Sequence, residues 1–235
     1  MSSIFMSSYE NTAPFKVGPD YIDPGYHKLF TGNESHNLDI FMFDERTVKH
    51  IFKVNSKGHN IAIVEGVIGL YDGIGHTKDN FSTAHLSGVL DIPIILVVNT
   101  KGISTGIAAE ILGFKMLDEN VKIKDIILNN VSSEKSYISL KEAIEKYTSI
   151  ECVGYVPRNE KLSVESRHLG LKQAMEMKDS QKITEKINLF REIAEKCIGI
   201  ERIREIAGEF SPEDEMDSFK PIKELKIDTV GKKLQ

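Results

Sequence analysis

The sequence predicts an α/β fold, a parallel sheet with helices on both faces. Apolar runs without polar alternation, such as 61–65 and 93–99, read as strands buried on both faces, the kind found in parallel sheets. Stretches with helix-period apolar positions separate these runs, and strand–helix alternation favours parallel pairing through helical crossovers. Carboxylates and glycines gather just past the first runs, where open α/β sheets place their ligands.

Residues 1–14 carry little pattern and read as an irregular N-terminus. Residues 15–18 read as the end of a short strand. Pro19, Pro24 and Gly25 follow, and they are expected to break any helix and force an irregular loop. A helix is expected over 44–56, a strand over 61–65, a helix over 82–90 and a strand over 93–99. The helix over 104–118 takes Ser104 as its N-cap, and the helix over 134–148 takes Ser133. Strands are expected near 125–130 and 151–156. Further on, Ile183, Ile187, Phe190, Ile193 and Cys197 recur every three or four residues in a charged background, the pattern of an amphipathic helix covering the core. Ile203 and Ile206 continue that stripe on a second short helix. The acidic, proline-broken run from Ser211 to Glu215 reads as a linker. The expected organisation is an irregular 1–14, one α/β domain over 15–208 and a linker over 209–235.

Composition narrows the function. The chain of 235 residues is 40% hydrophobic and 28% charged, enough for a core in an ordinary soluble protein. Its net charge of −5 argues against a nucleic-acid duplex as partner, which needs a basic face. Cys152 and Cys197 are too far apart for a cysteine metal site and read as buried small hydrophobes in a reducing compartment. No apolar run reaches membrane-spanning length, so the expected location is the cytoplasm, with no membrane partner.

The segment from Phe15 to His27 places Lys16 at a strand end with Asp20 and Asp23 beside it. A lysine there suits polyphosphate, and neighbouring aspartates suit a hard cation such as Mg2+. Glu65 closes the next apolar run, and Gly66, Gly69 and Gly73 let backbone approach a bound group. Glu65 and Asp72 are candidates for the same site. Lys16, Asp20 and Glu65 make chemical sense only if they converge, so strands 15–18 and 61–65 are expected side by side.

These segments closely resemble the KVGPDYIDPGYH and VEGVMGLFDG signatures of the cobyrinic acid a,c-diamide synthase family. Asn37-Leu38-Asp39, Ser82-Thr83-Ala84, Gly113-Phe114, Ile127-Leu128-Asn129-Asn130, the run from Gly154 to Arg158 and the run from Arg167 to Leu171 are similar to further family motifs. The likeness covers about residues 13–208. It implies a P-loop NTPase-like, dethiobiotin synthetase-like fold, followed in relatives by a glutamine amidotransferase domain. It also implies an ATP-dependent amidation: ATP phosphorylates a side-chain carboxylate of a corrinoid, and ammonia from glutamine displaces the phosphate. By resemblance Lys16 contacts ATP phosphates, and Asp20, Asp23, Glu65 and Asp72 are catalytic, with Asp20 and Glu65 on Mg2+. Asn129, Pro157 and Arg158 take the nucleotide. His27, Asn37, Asp39, Ser82 and Thr83 lie nearer the tetrapyrrole. Asp39 reads equally as a helix cap, and Asn129 as a strand-end backbone partner.

The family's glycine-rich loop, G-x-x-x-x-G-K-S/T, does not occur in this sequence. The resemblance therefore implies a fold without its first strand, loop and helix, and a sheet without a central member. Neither cysteine has a glutaminase-like context. The expectation is the middle of a larger enzyme, inactive by itself, which needs a glutaminase domain or subunit, ATP and a corrinoid or related tetrapyrrole; a homodimer is compatible. Competing readings are a non-catalytic remnant and an amidoligase for another tetrapyrrole such as nickel sirohydrochlorin.

Overall fold

A computed structural model describes residue 6 and residues 11–162, 166–167, 170–171 and 180–208. Strand β1 (Thr12–Val17) runs parallel to β2 (His36–Leu38) on one side and to β3 (Ile61–Glu65) on the other. Helix α1 (Asp23–Thr31) connects β1 to β2, and α2 (Glu45–Ser56) connects β2 to β3. A long loop then leads to α3 (Thr83–Leu90) and β4 (Ile94–Asn99). Strand β5 (Ile123–Val131) pairs in parallel with β4 and with β6 (Glu151–Pro157), with α4 (Gly106–Leu117) and α5 (Glu134–Thr148) as crossovers. A 3-10 turn at Glu160–Leu162 precedes an antiparallel pair, β7 (Ser166–Arg167) and β8 (Gly170–Leu171). Helices α6 (Ser180–Cys197) and α7 (Ile200–Gly208) end the described chain.

The α/β class is as expected, with helices against both faces. Along β5, Ile126 and Leu128 pack with Ile107 and Ile111 of α4 and Leu140 and Ile144 of α5. Ile127 points the other way, as strand alternation requires, and joins Phe190, Ile193 and Ala194 of α6 with Tyr26 and Phe30 of α1. A third cluster sets Phe15 of β1 against Phe52 of α2, ring centroids 5.0 Å apart, with Leu86 and Leu90 of α3 nearby. Burying one such phenylalanine contributes about 1.5–3 kcal/mol.

The sheet is divided at its middle. Strands β2-β1-β3 and β4-β5-β6 form separate units, and a cleft of about 1570 Å3 runs along both β3 and β4. Strand β1, paired on both sides, is buried throughout, whereas β3 is only half-buried and β4 partly exposed. Among the described residues β3 and β4 each pair with one strand only, β1 and β5 respectively.

Several local expectations are corrected. Thr12, Ala13 and Pro14 belong to β1 rather than to an irregular terminus. Pro14 is tolerated because pairing with β2 begins only at Phe15, so no partner on that side asks for its missing N–H. Pro24 and Gly25 do not break a helix; they lie in the first turn of α1, where an absent N–H costs nothing. Ser104 does not cap α4, which starts at Gly106 after Thr105 without a side-chain cap. Ser133 does cap α5, accepting from Ser136 N–H. Strand β2 was unforeseen, being a run of only 3 residues. The linker expected over 209–235 lies outside the described residues.

Candidate functional site

The carboxyl ends of β1 and β3 lie side by side, with Lys16 opposite Glu65 in the register. Adjacent strands are separated by only about 4.7–4.9 Å, so the expected convergence holds. Lys16 is buried to 4% exposure, and its ammonium is compensated on two sides. It pairs with Asp23 Oδ2 at 2.6 Å and donates to the Gly66 carbonyl at 3.1 Å. The chain places Asp23 there because Asp20 Oδ1 accepts the N–H groups of Ile22 and Asp23, at 2.7 and 3.2 Å, and so starts α1 in a fixed direction. Asn37 of β2 donates to the Asp20 carbonyl at 2.6 Å and ties this loop to the sheet.

Glu65 meets the Nε2 of His27, and His27 Nδ1 lies 2.9 Å from Ser35 Oγ. His27 is 1% exposed, so it stands behind Glu65, with both ring nitrogens engaged, and not on an open face. The sequence expectation places His27 nearer the tetrapyrrole; its observed partners are Glu65 and Ser35. Of the other residues expected near that ligand, Asp39 and Ser82 are buried, while Asn37 and Thr83 are half-buried. Asp39 is buried and does not cap α2, a role taken by Asp44; its Oδ1 accepts from Phe41 and Met42 N–H and holds the 39–43 loop. Ser82 is fully buried and caps α3 by accepting from His85 N–H. Thr83 Oγ1 accepts from Val67 N–H at 3.1 Å, fastening the loop after β3. Asp72 is exposed in that loop, its N–H bonded to the Gly69 carbonyl.

Asn129 Oδ1 accepts from Asn130 N–H at the end of β5, and Asn130 Nδ2 donates to Asn99 Oδ1 at 3.0 Å. The Asn129 carbonyl receives both Thr100 N–H and Thr100 Oγ1–H. Pro157 ends β6, and Arg158 N–H bonds to the Val131 carbonyl. Arg158 lines a second cleft of about 350 Å3 with Thr100, Lys101, Asn130, Ser132 and Ser136, at the carboxyl ends of β4, β5 and β6. Its walls are polar, with two cations, a combination suited to a ligand with anionic groups.

The structure thus brings together Lys16, Asp23 and Glu65, keeps Asp20 as the turn that orients them, and leaves Asp72 apart on its loop. Ser35 belongs to the site although nothing in the sequence pattern marks it, and Gly66, marked in the sequence for close backbone approach, contributes its carbonyl to Lys16. Lys101 was also missed; a lysine straight after a strand-end Asn-Thr was its available signal. Among the described residues no three Asp, Glu, His or Cys side chains gather as a metal cage. Such a site offers a cation one or two carboxylates only, which fits Mg2+ held jointly with phosphate oxygens rather than by protein alone. Cys152 is buried, and burial pushes its thiol up to about 12, so it offers no nucleophile.

Residues 20–166 match a family described as an AAA domain. The chain belongs to this family. It is 49% identical over 209 residues to the cobyrinate a,c-diamide synthase of Fusobacterium nucleatum, covering 89% of this chain and 46% of that protein. It is 45% identical over 205 residues to the cobyrinate a,c-diamide synthase of Methanocaldococcus jannaschii, with 87% and 46% covered, and 44% identical over 205 residues to that of Methanococcus maripaludis, with 87% and 45% covered. The chain spans about half the length of the curated relatives it matches. The parallel strands and flanking helices have the P-loop NTPase-like α/β arrangement that the sequence resemblance implied. No described helix is long and apolar enough to cross a membrane.

Proposed function

We propose that this chain carries the carboxylate-activating part of a cobyrinate a,c-diamide synthase. In this reading a side-chain carboxylate of cobyrinic acid attacks the γ-phosphorus of ATP, ADP leaves, and an acyl phosphate forms. Ammonia then attacks the acyl carbon, phosphate departs with the former carboxylate oxygen, and the nitrogen loses one proton to solvent or to the departing phosphate. The observation that carries the reading is the Lys16–Asp23–Glu65 cluster at the joined carboxyl ends of β1 and β3. Phosphoryl transfer needs positioning and charge neutralisation more than covalent chemistry, and a buried lysine among carboxylates provides both. Mg2+, when bound, would neutralise phosphate charge with Glu65 and Asp23 as its protein oxygens. Lys16 would orient the transferring group, and His27 would hold Glu65. The polar cleft around Asn130 and Arg158 would receive the nucleotide, and a glutaminase would supply ammonia.

The phosphate-cradling loop of the family does not occur in the sequence, and the loss of even one such donor typically costs about 10²–10³ in rate. The 235-residue chain alone is therefore expected to form no ADP from Mg-ATP, ammonium and cobyrinic acid. The reading is tested by placing a strand, Gly-Lys-Thr loop and helix ahead of Met1 and repeating the assay with ammonium. Cobyrinic acid-dependent ADP formation that Glu65→Gln abolishes is the expected result. ADP formation indifferent to cobyrinic acid in a fusion that binds Mg-ATP would refute the reading.

A further inference from the structure

His27, Asp39 and Ser82 turn inward, and large apolar residues of the neighbouring loops stand exposed. Of the exposed large apolar residues described before residue 90, all but Val54 stand in loops beyond the carboxyl ends of β1, β2 and β3. Tyr21 is 74% exposed, Phe41 64%, Met42 65% and Ile68 87%, with Phe43 and Phe81 also open. Exposed apolar side chains are ordinary when scattered, but a contiguous group beside a charged site marks a ligand face. Phe41 and Phe81 come from different loops and meet edge to face, ring centroids 5.3 Å apart at 84°.

These residues are held outward by structure. Asp39 Oδ1 anchors Phe41 and Met42 through their N–H groups, and Phe43 N–H bonds to the Asp39 carbonyl. Phe81 N–H bonds to His85 Nδ1, next to the Ser82 cap of α3. Ile68 and Phe81 both have left-handed backbone, at φ 53 and 62, a conformation rare for bulky residues and strained for a β-branched one. The loops border the charged cluster directly. Gly18 N–H bonds to the Leu38 carbonyl, Asn37 holds the Asp20 carbonyl, and Lys16 holds the Gly66 carbonyl two residues before Ile68.

We propose that Phe41, Met42 and Phe81, with Tyr21 and Ile68, form a platform for the apolar face of a flat, carboxylate-bearing macrocycle, the corrinoid of the proposed function on which this inference rests. The loops that carry the platform are tied to the cluster, so its occupant would present a carboxylate towards Lys16, Asp23 and Glu65 while covering these residues with apolar surface. A rigid macrocycle with peripheral carboxylates meets both demands. A second protein chain packed on the platform would shut the cluster off.

The test is a titration of the chain with cobyrinic acid, followed by the corrin absorbance, for wild type, Phe41→Ser/Phe81→Ser, Met42→Glu and Val54→Ser. Both platform variants are expected to weaken the dissociation constant about tenfold or more, aromatic packing being lost in one and charge set against an apolar face in the other. Phe41→Leu is expected to recover much of the affinity. Val54→Ser, exposed on α2 and outside the platform, is expected to bind like wild type. An unchanged dissociation constant in the platform variants, with wild type binding, overturns the platform and leaves the proposed function standing. Failure of the wild type to bind cobyrinic acid overturns both. A dimer that sedimentation detects in wild type and that Met42→Glu disperses would assign the surface to a second copy and overturn the macrocycle.

Discussion

Asp125 on β5 is fully buried, and among the described residues only one of its oxygens is satisfied: Oδ2 accepts from Arg202 Nε of α7 at 3.0 Å, while Oδ1 has no partner there. The replacement Arg202→Met keeps the apolar stem and removes the charge. Breaking a buried pair from one side costs about 3–5 kcal/mol. The Arg202 side chain is 40% exposed, so water replaces part of the loss, and about 2–3 kcal/mol is expected at neutral pH. For a chain of this size that is a fall in Tm of roughly 4–12 °C. The pH dependence has a definite sign. Burial raises the Asp125 carboxyl, Arg202 pulls it back, Glu151 repels it and Lys141 favours its charge. A carboxyl raised in the folded state makes the unfolded chain bind fewer protons through the window between the ordinary and the raised value. Its charged form therefore costs stability above that window, and the cost vanishes below it. Removing Arg202 widens the window, so the deficit of the variant should be full at pH 7 and shrink towards pH 4. Urea unfolding at both pH values measures this, and Asp125→Asn in the Arg202→Met background should restore stability at pH 7. A deficit that stays constant or grows on acidification would refute the reasoning.

Gly154→Ala is expected to destabilise by about 1–3 kcal/mol or more, since an added Cβ would meet the Cys197 carbonyl and sit 2.7 Å from Ile198 Cα, both backbone; thermal unfolding reads this, and an unchanged midpoint counts against the close approach. Millimolar Mg2+ is expected to raise the thermal midpoint of the chain slightly and to do so less in Glu65→Gln, because a divalent ion relieves repulsion among the strand-end carboxylates; an equal shift in both proteins removes Glu65 from the metal proposal. Cys152 is expected to resist iodoacetamide at pH 8 until urea unfolds the chain, since its thiol is buried and pushed up to about 12; rapid labelling of the native protein would show that β6 opens.

Much of the fold was legible because its signals are local. The apolar runs marked β3, β4, β5 and β6 to within a few residues, and Ser133 and the Ile183–Cys197 stripe marked α5 and α6. The errors have local causes too. Proline and glycine at positions 24 and 25 signal a break in the chain interior but a start in a helix's first turn, and here Asp20 fixes that start by accepting from Ile22 and Asp23 N–H. Asp39 and Asp44 both precede α2, and only the fold shows that Asp44 caps the helix while Asp39 holds the 39–43 loop. Pro14 reads against a central strand unless the starting point of β2 is known.

The sequence by itself determined the chemical types at the site, the strand–helix alternation from β3 to β6, and the membership of Lys16 and Glu65 in one cluster. It could do so because parallel crossovers bring the carboxyl ends of successive strands to one edge, whatever lies between. Tertiary structure alone decided where each polar group points. Lys16 reaches a carbonyl 50 residues away, and His27 a carboxylate 38 residues away; no periodicity encodes such pairings. A buried imidazole must satisfy both ring nitrogens, so His27 turned to Glu65 and Ser35 and left the open face to Phe41, Met42 and Phe81.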